Sequence, residues 1–267
     1  MTQIIKLYDD SKCTACRGCQ LACKQWNDLK AGQTEQQGTY QNPPTLQANT
    51  YMIIHFQDYA TSEGNVKWLF RKEACMHCTE AACVTVCPSG ALYYNKELGT
   101  VGLDREKCIG CKECVAACPF EVPKYDSKTS KVYKCDMCES RISNKLEPAC
   151  VKACPTGALK WGEKDKMLEL AQKRVGQLGG NAAIYGDQYV GGTHFMYVLK
   201  EGKDVYADIH KNPKVPLSVI LWKKWLKPLS LLGAGGVIGG SLLHYILHGP
   251  KRPDQDAGND VKTEGRE

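Results

Sequence analysis

Apolar positions fall into short, separate runs along the chain, and one long run stands near the C-terminus. Tyr51-Met-Ile-Ile-His-Phe56 is rich in β-branched and aromatic residues and predicts a strand. Over Glu163–Leu178, the residues Met167, Leu168, Leu170, Ala171, Val175 and Leu178 recur at helical spacing. They predict an amphipathic helix ended by Gly179-Gly180. Thr193–Leu199 predicts a strand following Gly191-Gly192. Residues 25–72 read as an insert with few punctuating hydrophobics, containing a turn or extended link at Gln41-Asn-Pro-Pro44. Residues 209–218 read as a Pro/Lys linker.

Leu229–Leu247 has no charged side chain and is mostly apolar. As a helix it reaches roughly 28 Å, close to the hydrocarbon thickness of a bilayer. Trp222, Lys223, Lys224, Trp225 and Lys227 precede it, and Tyr245, His248, Lys251 and Arg252 mark its far end. Aromatic and basic residues at both edges suit a membrane interface. Gly233, Gly235, Gly236, Gly239 and Gly240 would weaken a helix in water. In lipid, Gly235/Gly239 and Gly236/Gly240 make a small-xxx-small face for close packing. His244 lies inside the run, where a packing or interfacial role outweighs that of a haem ligand. Residues 249–267 read as a polar, disordered tail.

Composition is ordinary for a globular chain of 267 residues, 43% hydrophobic and 24% charged. The net charge of +6 is weak, and no dense Lys/Arg run is interleaved with aromatics, which argues against nucleic acid. The first ten residues show no basic region followed by an apolar one, so no signal peptide is expected. No nucleophile–base pair, carboxylate pair or phosphate loop stands out, so a catalytic site and a small-molecule substrate are not expected.

Cysteine changes the picture. All 16 lie between Cys13 and Cys154, in four groups. They are Cys13-x2-Cys16-x2-Cys19-x3-Cys23, Cys75-x2-Cys78-x4-Cys83-x3-Cys87-Pro88, Cys108-x2-Cys111-x2-Cys114-x3-Cys118-Pro119 and Cys135-x2-Cys138-x11-Cys150-x3-Cys154-Pro155. Even the trailing residues recur, as Cys87-Pro-Ser-Gly-Ala91 and Cys154-Pro-Thr-Gly-Ala158. Cysteines two residues apart let a tight loop wrap one corner of a cubane, with backbone N–H groups aimed at sulfur. The fourth, expected to start a helical turn heading away, ligates the other cluster of a pair.

Zinc uses Cys-x2-Cys pairs but needs two pairs per ion, without a third and fourth Cys at this spacing. Disulfides would not staple loops so short. The pattern implies four [4Fe–4S] clusters, and the all-cysteine ligand set argues against a [3Fe–4S] variant. Ala15, Gly18, Gly110, Ala117 and Ala153 let backbone approach a cluster. Lys12, Lys24, Lys107, Lys112, Lys134 and Lys152 stand close in sequence and offset the cluster charge, unless they are ordinary surface lysines. Spacing leaves the pairing of groups open. The irregular first and fourth groups, with Lys24 in place of Pro and x11 in place of x2, hint at a shared lobe enclosing the second and third.

Beyond the cysteine groups, several segments resemble the iron–sulfur β subunit of membrane-bound respiratory formate dehydrogenases. They are Cys13-Thr-Ala-Cys-Arg-Gly-Cys-Gln-Leu-Ala-Cys-Lys-Gln-Trp-Asn27, Gly38-Thr-Tyr-Gln-Asn-Pro-Pro44, Arg71-Lys-Glu-Ala-Cys-Met-His-Cys78 and Val132-Tyr-Lys-Cys-Asp-Met-Cys138. Glu147-Pro-Ala-Cys-Val-Lys-Ala-Cys-Pro-Thr-Gly-Ala158, Gly191-Gly-Thr-His194 and the helix after Trp222 complete them. The cysteine motifs alone also fit four-cluster subunits of other molybdenum or tungsten oxidoreductases, such as thiosulfate, tetrathionate or sulfur reductases, or of hydrogenases.

The resemblance implies an α+β fold of two ferredoxin-like lobes, each holding two [4Fe–4S] clusters, plus one C-terminal transmembrane helix. Residues 1–72 with 130–165 would form one lobe and 73–129 the other. Residues 166–220 would be an extension and linker, 221–248 the anchor and 249–267 the tail. Cys13, Cys16, Cys19 and Cys154 would hold one cluster; Cys135, Cys138, Cys150 and Cys23 a second. Cys75, Cys78, Cys83 and Cys118 would hold a third; Cys108, Cys111, Cys114 and Cys87 the fourth. Implied partners are a catalytic subunit with a bis-pterin molybdenum or tungsten centre, a membrane cytochrome b that reduces quinone, and membrane lipid. Lys/Arg are nearly balanced about the span and do not orient it. Placement of the soluble part on the periplasmic side of the inner membrane follows from the resemblance alone.

Overall fold

A computed structural model describes residues 3–61, 63–207, 209–221 and 225–249. Its first strand, β1 (Ile4–Asp9), was not foreseen because Lys6 interrupts its apolar run. Two faces explain the interruption. Ile5 and Leu7 point to one side of the sheet, where they pack on a helix, while Tyr8 joins the core on the other side. The alternation is that of a strand with two different environments.

After β1 come α1 (Gly18–Trp26), β2 (Met52–Ala60), β3 (Val66–Ala74), α2 (Ala82–Thr85), β4 (Leu92–Asn95) and β5 (Thr100–Leu103). Then follow α3 (Glu113–Ala117), β6 (Lys124–Asp126), β7 (Lys131–Tyr133), α4 (Glu139–Ser143), α5 (Ala149–Lys152), β8 (Leu159–Glu163) and α6 (Lys164–Leu178). Last are β9 (Ala183–Tyr185), β10 (Phe195–Leu199), α7 (Leu217–Leu221) and α8 (Lys227–His248). A four-stranded sheet has the order β8-β1-β10-β9, with β1 parallel to β10 and the other neighbours antiparallel. Three antiparallel pairs, β2-β3, β4-β5 and β6-β7, stand outside it.

Helix α6 forms as its periodicity predicts. Met167, Leu168, Leu170, Ala171, Val175 and Leu178 all pack on Ile5, Leu7, Met196 and Val198 of the sheet. Gly179 ends it with φ +65°, a conformation costly to any side chain. The predicted strand at 51–56 is longer than its apolar core, running through β2 and pairing with β3 over its whole length. Residues 25–72 are therefore more than an insert: Met52, Ile53, Ile54 and Leu69 of this ribbon are buried in the main core. The predicted strand at 193–199 begins at Phe195, with Thr193 bridging to Cys78 instead. The linker at 209–218 gives way to helix at Leu217.

Residues 3–219 pack as one unit. A smaller apolar cluster within it joins Ala81, Ala91, Leu92, Val101, Cys108, Cys114 and Val132. The C-terminal unit is dominated by α8. Pro228–His248 is the one helix among the described residues long and apolar enough to cross a membrane, and none of its hydrophobic window is buried. The 22 residues of α8, Lys227–His248, span about 33 Å. Among the described residues, a Cβ at any of Gly233, Gly235, Gly236, Gly239 or Gly240 would meet nothing within 4 Å. His244 stacks on His248 with ring centroids 4.6 Å apart. Trp222, Lys223, Lys224, Lys251, Arg252 and the tail beyond Gly249 lie outside the described residues.

Candidate metal centres

Each cysteine group opens with the same turn. The residue two after the first Cys has positive φ in all four: Ala15 at 54°, His77 at 48°, Gly110 at 71° and Met137 at 65°. Only one of the four is glycine, so three loops hold a side chain where L-residues are strained. The turn aims N–H groups at sulfur. Ala15 N–H donates to Cys13 Sγ and Met137 N–H to Cys135 Sγ, both at 3.4 Å. At Gly110 the glycine is obligatory, because a Cβ there would stand 2.3 Å from the Ser130 carbonyl oxygen.

The fourth Cys does not start a helical turn as expected; it closes one. Cys118 caps the C-terminus of α3 in extended conformation, and Cys87 and Cys154 follow α2 and α5. The reason is the next residue: Pro88, Pro119 and Pro155 disfavour helix in the residue before them. Cys23, followed by Lys24, lies inside α1, which runs on to Trp26. There Asn27 takes over, donating its side-chain amide to Cys23 Sγ at 3.6 Å.

All sixteen cysteines are free of disulfides. Their mutual charge effects fall into fours. Cys13 faces Cys16 and Cys154, and Cys19 faces Cys13 and Cys154. Cys23 faces Cys135, Cys138 and Cys150. Cys78 faces Cys75, Cys83 and Cys118. Cys114 faces Cys108, Cys111 and Cys87. Links also run between fours: Cys19 with Cys150 and Cys135 with Cys75, both as strong as contacts within a four, and a weaker one of Cys83 with Cys114. Among the described residues, no three His, Cys, Asp or Glu side chains converge tightly enough for a single metal ion. Thiols gathered in fours, yet too spread for one ion, suit a multi-iron group held at its corners better than zinc.

Burial disfavours the thiolates such a group needs, and pushes most of these thiols up: Cys114 and Cys138 to about 12, Cys118 to about 11, Cys23 and Cys78 well above the usual range. Two are lowered. At Cys87, burial is outweighed by N–H groups of the Pro-Ser-Gly-Ala-Leu turn, including Leu92 at 3.5 Å. At Cys150, burial is outweighed by the ammonium groups of Lys6 and Lys72.

Lys6 and Lys72 escaped the sequence reading, since neither is within a cysteine group. Both are buried, and neither Nζ finds an oxygen acceptor among the described residues. Buried ammonium groups without such acceptors require an anionic neighbour. A cubane on four thiolates, negatively charged, is such a neighbour, so the donor set and the buried cations both fit the group. The signal available in the sequence was a lysine set within Ile4-Ile5-Lys6-Leu7-Tyr8.

Of the lysines singled out by sequence, Lys134 alone is buried; its Nζ donates to Val101 O and to Cys135 O, and its charge reaches Cys83 and Cys118. Lys24 donates to Lys30 O and Asn49 O. Lys12 and Lys107 are exposed beside Asp9 and Asp104, Lys112 lies over the Tyr125 ring, and Lys152 is exposed.

Comparison with known proteins identifies the type of domain that carries these cysteines. The 4Fe-4S dicluster domain matches residues 12–91 and, in a second form, residues 66–164. A domain described as formate dehydrogenase N, transmembrane, matches residues 215–257. The nitrate-inducible formate dehydrogenase iron-sulfur subunit of Escherichia coli (strain K12) is 41% identical over 260 residues, 95% of this chain and 88% of the relative. The formate dehydrogenase iron-sulfur subunit of Haemophilus influenzae is 40% identical over 255 residues, 93% of this chain and 81% of the relative. A thiosulfate reductase electron transfer subunit of Salmonella typhi is 39% identical over 176 residues, 66% of this chain and 82% of the relative.

Proposed function

The chain belongs to the family of formate dehydrogenase iron-sulfur subunits, and from that premise we propose that it conducts electrons from a formate-oxidising catalytic subunit, through four [4Fe–4S] clusters, to a membrane cytochrome b and quinone. The observation that carries the reading is the gathering of cysteines in fours, three from one group and the fourth from another. On this reading Cys13, Cys16, Cys19 and Cys154 hold one cluster; Cys23, Cys135, Cys138 and Cys150 the next. Cys75, Cys78, Cys83 and Cys118 hold a third, and Cys87, Cys108, Cys111 and Cys114 the last. Each cluster, when bound, accepts and returns one electron while its thiolate ligands stay in place.

The links Cys19–Cys150, Cys135–Cys75 and Cys83–Cys114 support a single file in that order. Its ends suit exchange with partners: of the sixteen thiols only Cys16 and Cys111 are exposed, one in each terminal four. The middle fours are shielded, which keeps electrons from leaking to solvent oxidants. Residues 1–72 with 130–165 serve as the lobe of the first two clusters and 73–129 as that of the other two. The apolar cluster around Leu92 and Val101 supports the second lobe. Residues 166–220 extend the fold, and 249–267 form its tail.

Residues 221–248 anchor the chain by a single pass in the inner membrane, among lipid and a cytochrome b, with the soluble part periplasmic. The catalytic partner carries the bis-pterin molybdenum or tungsten centre, and this chain is non-catalytic by itself. The same wire in a thiosulfate reductase fits less of the chain: that relative aligns over 176 residues, against 260 for the formate dehydrogenase subunit. The test is iron and acid-labile sulfide per chain in anaerobically purified complex, with EPR after reduction. About sixteen of each, with spectra broadened by inter-cluster coupling, is expected. Zinc in place of iron, or half the iron without coupling, would sink the reading.

A further inference from the structure

Lys6 and Lys72 come from different strands, β1 and β3, and meet over one aromatic ring. Lys6 Nζ stands 4.4 Å from the centroid of Phe195, and Lys72 Nζ 5.4 Å from it. Phe195 is fully buried, and the two lysines are 1% and 0% exposed. Among the described residues neither ammonium has a carboxylate partner or an oxygen acceptor, and Lys72 reaches the Cys150 sulfur. The ring face offsets part of the cost of two like charges held away from water, but not the whole desolvation of each ion. The negative groups that face Lys6 are the sulfurs of Cys150, Cys135, Cys138 and Cys23. Lys72 faces Cys150 and Cys23 of the same four, and also Cys19 of the neighbouring one.

We propose that Lys6 and Lys72 are positioning residues for electron transfer, a fixed pair of positive charges that raises the reduction potential of the cluster held by Cys23, Cys135, Cys138 and Cys150. The proposal rests on the four-cluster reading above. Reduction adds one negative charge to a cluster, and a cation buried beside it stabilises the reduced form more than the oxidised form. Two such cations on one cluster, with one shared by its neighbour, rank the sites. The second station is the most easily reduced: the first is raised by Lys72 alone, the third by the buried Lys134 alone, and the exposed Lys107 and Lys112 beside the fourth are screened by water. The second station thereby holds the electron until the outer half of the file accepts it.

The experiment is EPR-monitored potentiometric titration of the intact complex carrying K6M, K72M, K6R or K72R. K6M lowers the midpoint of one cluster and leaves three unchanged. K72M lowers that same midpoint and one more, since Lys72 faces two fours. The Arg variants, which keep the charge, retain native midpoints. Loss of one cluster in a Met variant but not in its Arg counterpart also supports the charge requirement. Unshifted midpoints in both Met variants, equal shifts in all four clusters, or an Arg variant that behaves like its Met counterpart overturn the proposal. Iron and sulfide in the native complex separate the two levels. A short count sinks the four-cluster reading, whereas a full count with unshifted midpoints sinks only the role of the lysines.

Discussion

The backbone N–H of Leu159 reaches back five residues to donate to Cys154 Sγ at 3.4 Å. Leu92 makes the same reach to Cys87 Sγ at 3.5 Å. The repeat Cys-Pro-x-Gly-Ala-Leu is thus a device for aiming an amide at the ligand that closes a cysteine group. It works because Gly90 and Gly157 turn the chain with φ of +67° and +65°. A Cβ on Gly157 would meet nothing within 4 Å, so only the backbone conformation is at stake. G157A is expected to cost about 1 kcal/mol. Its thermal midpoint should fall by roughly 2–4 °C with iron content unchanged.

Gly110 is the opposite case. Its φ is +71°, and a Cβ would collide with the Ser130 carbonyl at 2.3 Å, a backbone atom that cannot swing aside. G110A is expected to open the loop of Cys108 and Cys111 and to lose one cluster. Iron per chain should drop by about four atoms of about sixteen, with the remaining EPR signals intact.

The ligand sets predict which variants are equivalent. Cys16→Ala and Cys154→Ala should abolish the same EPR signal, though the residues are far apart in sequence. Cys23→Ala should match Cys135→Ala, not Cys16→Ala. Equivalence of Cys23→Ala with Cys16→Ala would mean that each group keeps its own fourth ligand, against the crossed arrangement.

Asp10 carries a pH signature. Burial raises its carboxyl from the usual 3.8 to about 6, against the opposing Tyr206 hydroxyl and the Lys200 N–H that donate to it. A carboxyl with a raised folded-state value contributes most below its unfolded value and loses that contribution as pH rises through the folded one. Relative to D10N, the native protein should lose stability between pH 4 and pH 6, by on the order of 3 kcal/mol, and the difference should level off above about pH 7. Thermal midpoints of both proteins from pH 5 to pH 8 follow the upper part of that curve.

A chain ending at Val219 should leave the membrane. Residues 3–219 pack as their own unit, and the uncharged helix lies beyond them. Cell fractionation is expected to move the truncated protein to the soluble fraction with its iron complement retained. The full chain should require detergent.

Much of this protein was legible without coordinates. Cysteine spacing is local: all four groups open with Cys-x2-Cys and close with x3-Cys, a repeat that leaves little else to read. Helix α6 and the anchor were legible for a similar reason, since the periodicity of Met167–Leu178 and the uncharged run at Leu229–Leu247 depend on neighbours in sequence. Pro88, Pro119 and Pro155 also act locally, keeping the cysteine before each out of the short helix that precedes it. Even so, the fourth cysteine was expected to start a helical turn, whereas it follows the end of one.

What the sequence by itself determined, then, is the number and spacing of the cysteines, the iron–sulfur type of domain they mark and the helix that suits a membrane, because each depends on residues a few positions apart. Only the tertiary structure decided which thiols face one another, since Cys23 meets Cys150 and Cys87 meets Cys114 through packing of segments remote in the chain. It alone also brought Lys6 of β1 and Lys72 of β3 to the same buried ring and the same four sulfurs. In sequence, each is one lysine in a strand; a charge acquires its electrostatic meaning from what surrounds it once water is excluded.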